Sequence, residues 1–210
     1  MANGKNEDKG NVRGELTLQF SILLALLGLM WGIEILDWLW AAQLDRYGIV
    51  PRDWVGLRGI LFAPFLHGNF PHLMANTVPF FSLGWLVMLR RTRDFLWVTG
   101  LVMLLGGLGT WLIGNLFDPV LRSRPPVHIG ASILIFGYLG YLLLRGWFDR
   151  QPASIIFSIA VALVYGGLLW GVLPGQAGVS WEGHLSGFVA GTIAAKLLAG
   201  RPAPPRRPAA

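Results

Sequence analysis

Long apolar runs alternate with short polar breaks along this chain. The runs cover roughly residues 16–35, 72–89, 95–117, 131–144, 153–173 and 184–199, and none shows the period-two alternation of a half-buried strand. Continuous hydrophobicity at that length predicts helices in lipid, with no need for strands. The breaks are supplied by Arg90, Arg91 and Arg93, by Arg124-Pro125-Pro126, by Arg150-Gln151-Pro152, and by Pro174-Gly175-Gln176. The reading is an all-α, polytopic membrane protein with six transmembrane helices. It divides into a polar N-terminal segment (1–15), a six-helix membrane domain (16–199) and a Pro- and Arg-rich tail (200–210) expected to be disordered.

Composition strengthens this reading, because 54% of the 210 residues are hydrophobic and only 13% are charged. Soluble domains carry about 25% charged residues. The formal charge of +6 does not point to nucleic acid, since the basic residues sit in clusters between apolar runs and form no stripe with aromatics. They read as topology signals instead. Of the 17 Lys and Arg, twelve fall in the N-terminus, the second-third and fourth-fifth connections and the C-terminus. This bias predicts that both termini of a multi-pass membrane protein are cytoplasmic. The first apolar run exceeds a signal-peptide core and is read as a retained span. On the far side lies one long connection, residues 36–71, whose Trp38, Trp40, Trp54, Asp37, Asp45, Arg46, Arg52 and Arg58 suit a segment lying in the membrane interface. With no cysteine in the chain, no thiolate chemistry is available.

Two of the runs are too short to span the bilayer at full depth, and both open with a reactive side chain. The fourth offers about 14 apolar residues before Arg145 and the sixth about 12 before Lys196, less than the roughly 20 that a bilayer core requires. Ser132 opens one and His184 the other. Measured up from the basic residues at their inner ends, Ser132, His184 and Asn76 all lie at about 18–21 Å, at 1.5 Å per helical residue. His72 stands four residues before Asn76, on the same helix face. Gly183, Gly187 and Gly191 recur every four residues beside His184, while Gly137 and Gly140 thin the helix that carries Ser132. Small residues so spaced let helix backbones approach closely, although the pattern alone signals only packing.

A serine hydroxyl attacks a carbonyl only when a neighbouring base takes its proton, and His184 can be that base. No Asp or Glu falls inside the fourth or sixth run, so His184 has to be oriented by packing or by a backbone acceptor. The oxyanion that develops needs preplaced donors, a role open to His72, Asn76 and the Ser132 N–H. His67, His72, His128 and His184 as metal ligands would make a metalloprotease, but His67 and His72 are five apart and no His-Glu-x-x-His pattern occurs. No metal or cofactor is therefore expected. His128, beside Pro125-Pro126-Val127, reads as a solvated loop residue, and Glu34 and Glu182 as interface or cavity residues.

Three motifs in order, His67-Gly-Asn-Phe-Pro-His72-Leu-Met-Ala-Asn76, Gly130-Ala-Ser132 and Gly183-His184-Leu-Ser-Gly187-Phe-Val-Ala-Gly191, resemble the rhomboid family of intramembrane serine proteases in its compact six-helix bacterial form. The resemblance covers nearly all of residues 16–199. It implies a rhomboid-like fold with a long interfacial first loop and a serine endopeptidase that hydrolyses a peptide bond in or near a transmembrane helix of membrane-protein substrates within the lipid bilayer. It also implies a Ser132–His184 catalytic dyad, His72 and Asn76 in the oxyanion site, and His67, Gly130, Phe136, Gly183 and Gly187 in support, with Phe136 packing on His184. Ile133 departs from the pattern, because the family usually places Gly or another small residue after the nucleophile. Its branched side chain either crowds the substrate carbonyl or faces lipid, which leaves a weak or inactive relative that binds clients as the alternative.

Overall fold

A computed structural model of the protein describes residues 3–41, 43–116, 127–176 and 178–200, with side chains from Val12 onward. The described residues are helical apart from their connections. They form α1 (Asn3–Trp40), α2 (Gly59–Phe62), α3 (Phe70–Met88), α4 (Thr92–Leu101), α5 (Gly107–Ile113), α6 (Ser132–Asp149), α7 (Pro152–Tyr165) and α8 (Trp181–Leu198). A π-helical turn, Val102–Gly106, joins α4 to α5, and a 3-10 segment, Gly166–Val172, extends α7. Residues 12–40, 92–113 and 152–172 are long and apolar enough to cross a membrane. Phe117, the Arg124-Pro125-Pro126 break and residues 201–210 lie outside the described part.

Helix ends differ from the apolar pattern for identifiable reasons. The polar residues from Asn3 to Glu15 continue α1 rather than preceding it, so the 1–15 segment is helical from Asn3 onward. That helix also runs on to Trp40, which shortens the first connection from its expected start at Leu36. Asn69 caps α3 by accepting the His72 N–H at 2.8 Å, and Pro71 sits in the first turn where its missing N–H costs nothing. Ser180 caps α8 by accepting the Gly183 N–H at 3.2 Å, so this helix starts three residues before His184.

α6 lies at the centre, buried along both faces from Ile133 to Leu142. Its core neighbours include Leu73, Phe80 and Leu83 of α3, Phe95 and Val98 of α4, and Ala190, Ala194 and Ala195 of α8. The α6–α8 contact is backbone against backbone: a Cβ on Gly191 would strike the Gly137 carbonyl oxygen, one on Gly187 the Ile133 carbonyl, and one on Gly140 the Phe188 carbonyl. α7 is tied to α6 by Ser158, whose hydroxyl donates to the Leu142 carbonyl at 2.6 Å and accepts the Gly146 N–H at 3.0 Å.

The first connection is a folded cap. Arg52 reaches the end of α5, donating to the Gly114 carbonyl at 2.7 Å, and Trp111 Nε1 donates to the Asp53 carbonyl at 2.7 Å. Ile49 and His128 exchange backbone hydrogen bonds at 2.8 and 3.0 Å as an isolated antiparallel bridge. Gly130 N–H donates to the Ala63 carbonyl at 2.9 Å. The cap therefore grips the extended run that leads into Ser132, and so sets where α6 begins.

Candidate active site

Ser132 is the first residue of α6, and the run before it is held in a shape that only glycine tolerates. Gly130 has φ +111°, and a Cβ on it would lie 2.7 Å from the His72 ring and 3.5 Å from Asn76 Nδ2. Both constraints exclude a side chain there. The next residue, Ala131, donates its N–H to His67 Nε2 at 3.3 Å. His67 must then present a neutral Nε2, and burial, aided by neighbouring His72, pushes its pKa down to about 4. The rings of His67 and His72 meet edge to face at 5.1 Å.

Asn76 lies on the face of α3 that looks toward Gly130. It is buried, and its Nδ2 has no hydrogen-bond partner. An orphaned amide donor costs about 1–3 kcal/mol. Such a group is suited to an oxygen that arrives during a reaction. Ala131 makes no side-chain cap, so the N–H of Ser132 stands in an uncapped first turn that favours negative charge.

His184 occupies the first turn of α8. Its Nδ1 donates to the Gly171 carbonyl at 2.8 Å, which leaves Nε2 as the basic nitrogen. Its ring stacks on Phe136 with centroids 4.0 Å apart and an interplanar angle of 11°. Phe136 is four residues after Ser132, hence on the same face of α6 one turn deeper. Packing and a backbone acceptor thus orient this histidine together, in place of a carboxylate. No hydrogen bond joins Ser132 Oγ to His184 in this structure. Gly183 and Gly187 stand one residue before and three after His184: the first packs on Ser180 Oγ, the second on the Ile133 carbonyl.

Several features escaped the sequence reading. Ile133 does not face lipid. It is 6% exposed, its side chain packs beside the close approach of Gly106 and Gly187, and with Ser132 it lines a cavity of about 20 Å³. His128 is not solvated either; it is buried, with Nδ1 bonded to Ser180 Oγ at 2.5 Å and Nε2 to Asn115 at 3.2 Å, and burial pushes its pKa down. Glu182 is buried as well and accepts the Asn115 N–H at 2.9 Å, fastening the end of α5 to the start of α8. Gly171 went unnoticed because its carbonyl matters only through a tertiary contact. Ser180, by contrast, carries a readable signal, a serine immediately before the apolar Trp181 with acidic Glu182 in the first turn.

The Rhomboid domain family matches residues 55–201 of this chain. An "uncharacterized protein" of Mycobacterium bovis is 49% identical over 179 residues, spanning 84% of this chain and 73% of the relative. A RHOMBOID-like protein 5 of Arabidopsis thaliana is 30% identical over 141 residues, 66% of this chain and 43% of its own length. A Rhomboid-type serine protease 2 of Emericella nidulans is 30% identical over 130 residues, 60% of this chain and 24% of its own length. The chain belongs to the rhomboid family. With its long apolar helices, it is an integral membrane protein.

Proposed function

We propose that the protein is an intramembrane serine endopeptidase in which Ser132 attacks a peptide carbonyl in or near a transmembrane helix of a membrane-protein substrate. His184 Nε2 takes the hydroxyl proton as the Oγ–carbon bond forms and returns it to the leaving amine. A water deprotonated by the same nitrogen then cleaves the acyl-enzyme. Asn76 Nδ2, His72 and the Ser132 N–H receive the oxyanion, while His67 and Gly130 shape the turn that presents them. The observation that carries this reading is the clamping of His184 between the Gly171 carbonyl and the ring of Phe136, a residue one helical turn after Ser132 on α6.

Six spans, rather than the three that length and hydropathy alone mark, follow if α3, α6 and α8 cross with their polar ends sunk in protein. Orientation with both termini in the cytoplasm follows from the Lys and Arg distribution, and a bacterial inner membrane from the resemblance to the compact bacterial rhomboids. A second reading, an inactive relative that binds membrane-protein clients, draws on the missing Ser132–His184 hydrogen bond. Catalytic hydrogen bonds often close only when substrate binds. Fluorophosphonate labelling in detergent separates the two: labelling of the unmutated chain that is lost in both Ser132→Ala and His184→Ala supports the dyad, and equal labelling of Ser132→Ala defeats it.

A further inference from the structure

The backbone contact between α6 and α8 begins at Ile133 and Gly187, just past Ser132 in one helix and His184 in the other. A second fastening lies on the opposite side of that pair. His128 stands four residues before Ser132 and Ser180 four residues before His184, and their side chains meet, with His128 Nδ1 at 2.5 Å from Ser180 Oγ.

The direction of this bond follows from its neighbours. Asn115 Nδ2 lies 3.2 Å from His128 Nε2 and can only donate, so Nε2 accepts and the ring proton sits on Nδ1. Nδ1–H therefore donates to Ser180 Oγ, which also accepts the Gly183 N–H at 3.2 Å. Behind Asn115, Glu182 accepts its N–H at 2.9 Å. His128 and Asn115 are 7% and 4% exposed, so bulk water does not compete for these bonds. The seat is also cut to the imidazole: a Cβ on Gly114 would lie 2.8 Å from Nε2.

Both partners are tied to the reacting residues. The His128 backbone is paired with Ile49 of the cap, and three residues further on comes Ala131, held by His67, and then Ser132. On the other side the Ser180 carbonyl accepts the His184 N–H at 3.0 Å. Displacement of either partner is passed on to the nucleophile or to the base.

We propose that His128 is a positioning residue for the dyad: by holding Ser180 it fixes the separation of Ser132 and His184 at the end that the α6–α8 backbone contact leaves open. The inference rests on the serine-endopeptidase reading of those two residues. Displacing a reacting group by about 1 Å can cost about 100-fold in rate, so a strut four residues upstream of each partner has leverage on the chemistry.

Two amides separate this role from packing. His128→Asn keeps an N–H donor where Nδ1 stands but leaves space beside Asn115, whereas His128→Gln fills that space and carries its amide out to the Nε2 position. Fluorophosphonate labelling rates and melting temperatures of the full chain in detergent are compared. His128→Asn should label within about threefold of the unmutated chain, and His128→Gln at least about tenfold more slowly, although the Asn variant melts lower. On a transmembrane reporter the Gln loss should fall in kcat with KM unchanged. Ser180→Ala removes the acceptor from the other side, and adding His128→Gln to it should slow labelling no further. A Gln variant that labels as fast as the Asn variant, or a double variant slowed by the product of the two single effects, would overturn the positioning role and leave the dyad standing. An unmutated chain that does not label at all would overturn the dyad and the strut with it.

Discussion

The imidazole of His184 lies flat on the ring of Phe136, and the contact fixes the plane of a histidine that no carboxylate orients. Aromatic stacking contributes about 0.5–1.5 kcal/mol beyond area burial, so Phe136→Leu should slow cleavage of a transmembrane reporter by roughly threefold to tenfold. The loss belongs in kcat, because in the proposed mechanism the ring positions the base rather than the substrate. Phe136→Tyr keeps the stack and should retain most of the rate. Steady-state kinetics in detergent read both.

Asn76 offers a sharper separation of activity from stability. Removal of a single oxyanion donor costs about 100-fold or more in kcat. Its Nδ2 is already unpartnered in the resting structure, so Asn76→Ala removes an unsatisfied buried donor and should leave the melting temperature unchanged or higher. A loss of stability that parallels the loss of activity would mark the residue as packing.

Ile133→Ala tests whether the branched side chain obstructs the substrate or fills space. Truncating a buried Ile costs about 2–5 kcal/mol. Given its packing against both Gly106 and Gly187, a lowered melting temperature with no gain in rate is expected. A faster, equally stable variant would show that Ile133 obstructs substrate.

His67 and Asp45 should shape the pH dependence of stability with opposite signs. The folded pKa of His67 is about 4 against an ordinary 6.5, so its contribution is complete above pH 6.5 and is lost as pH falls toward 4. Protonation would also remove the acceptor of the Ala131 N–H. Asp45 lies in the first connection, where burial and then Asp37 push its pKa up to about 6. The folded chain holds its proton more tightly than the unfolded one, so Asp45 lowers stability as pH rises from about 4 to 6. Relative to the unmutated chain, His67→Gln should lose less stability on acidification and Asp45→Asn less on alkalinisation. Melting curves from pH 4 to 8 measure both slopes.

The long helices of the described residues are legible because continuous apolar runs without period-two alternation have few solutions other than a helix. The motif residues could be set at one depth by counting helical rise, and His72, Asn76 and Gly130 do converge before Ser132. Helix ends are less legible: the first apolar run starts at Leu16, yet the helix extends back to Asn3, and α8 starts at Trp181 because Ser180 caps it. His128 looked solvated because its backbone partner, Ile49, lies far away in sequence. Gly171 carries no local signature at all. Its importance rests on a carbonyl whose partner belongs to another helix, and no periodicity encodes that.

The glycine seam between α6 and α8 has a mechanical consequence. Side chains can swing aside to admit a guest, but peptide groups that already touch have nothing to move. At Gly140, Gly187 and Gly191 the two helices act as a single plank, closed along its length. A polypeptide substrate of the proposed endopeptidase would meet a wall on that flank and would have to reach Ser132 through a different opening.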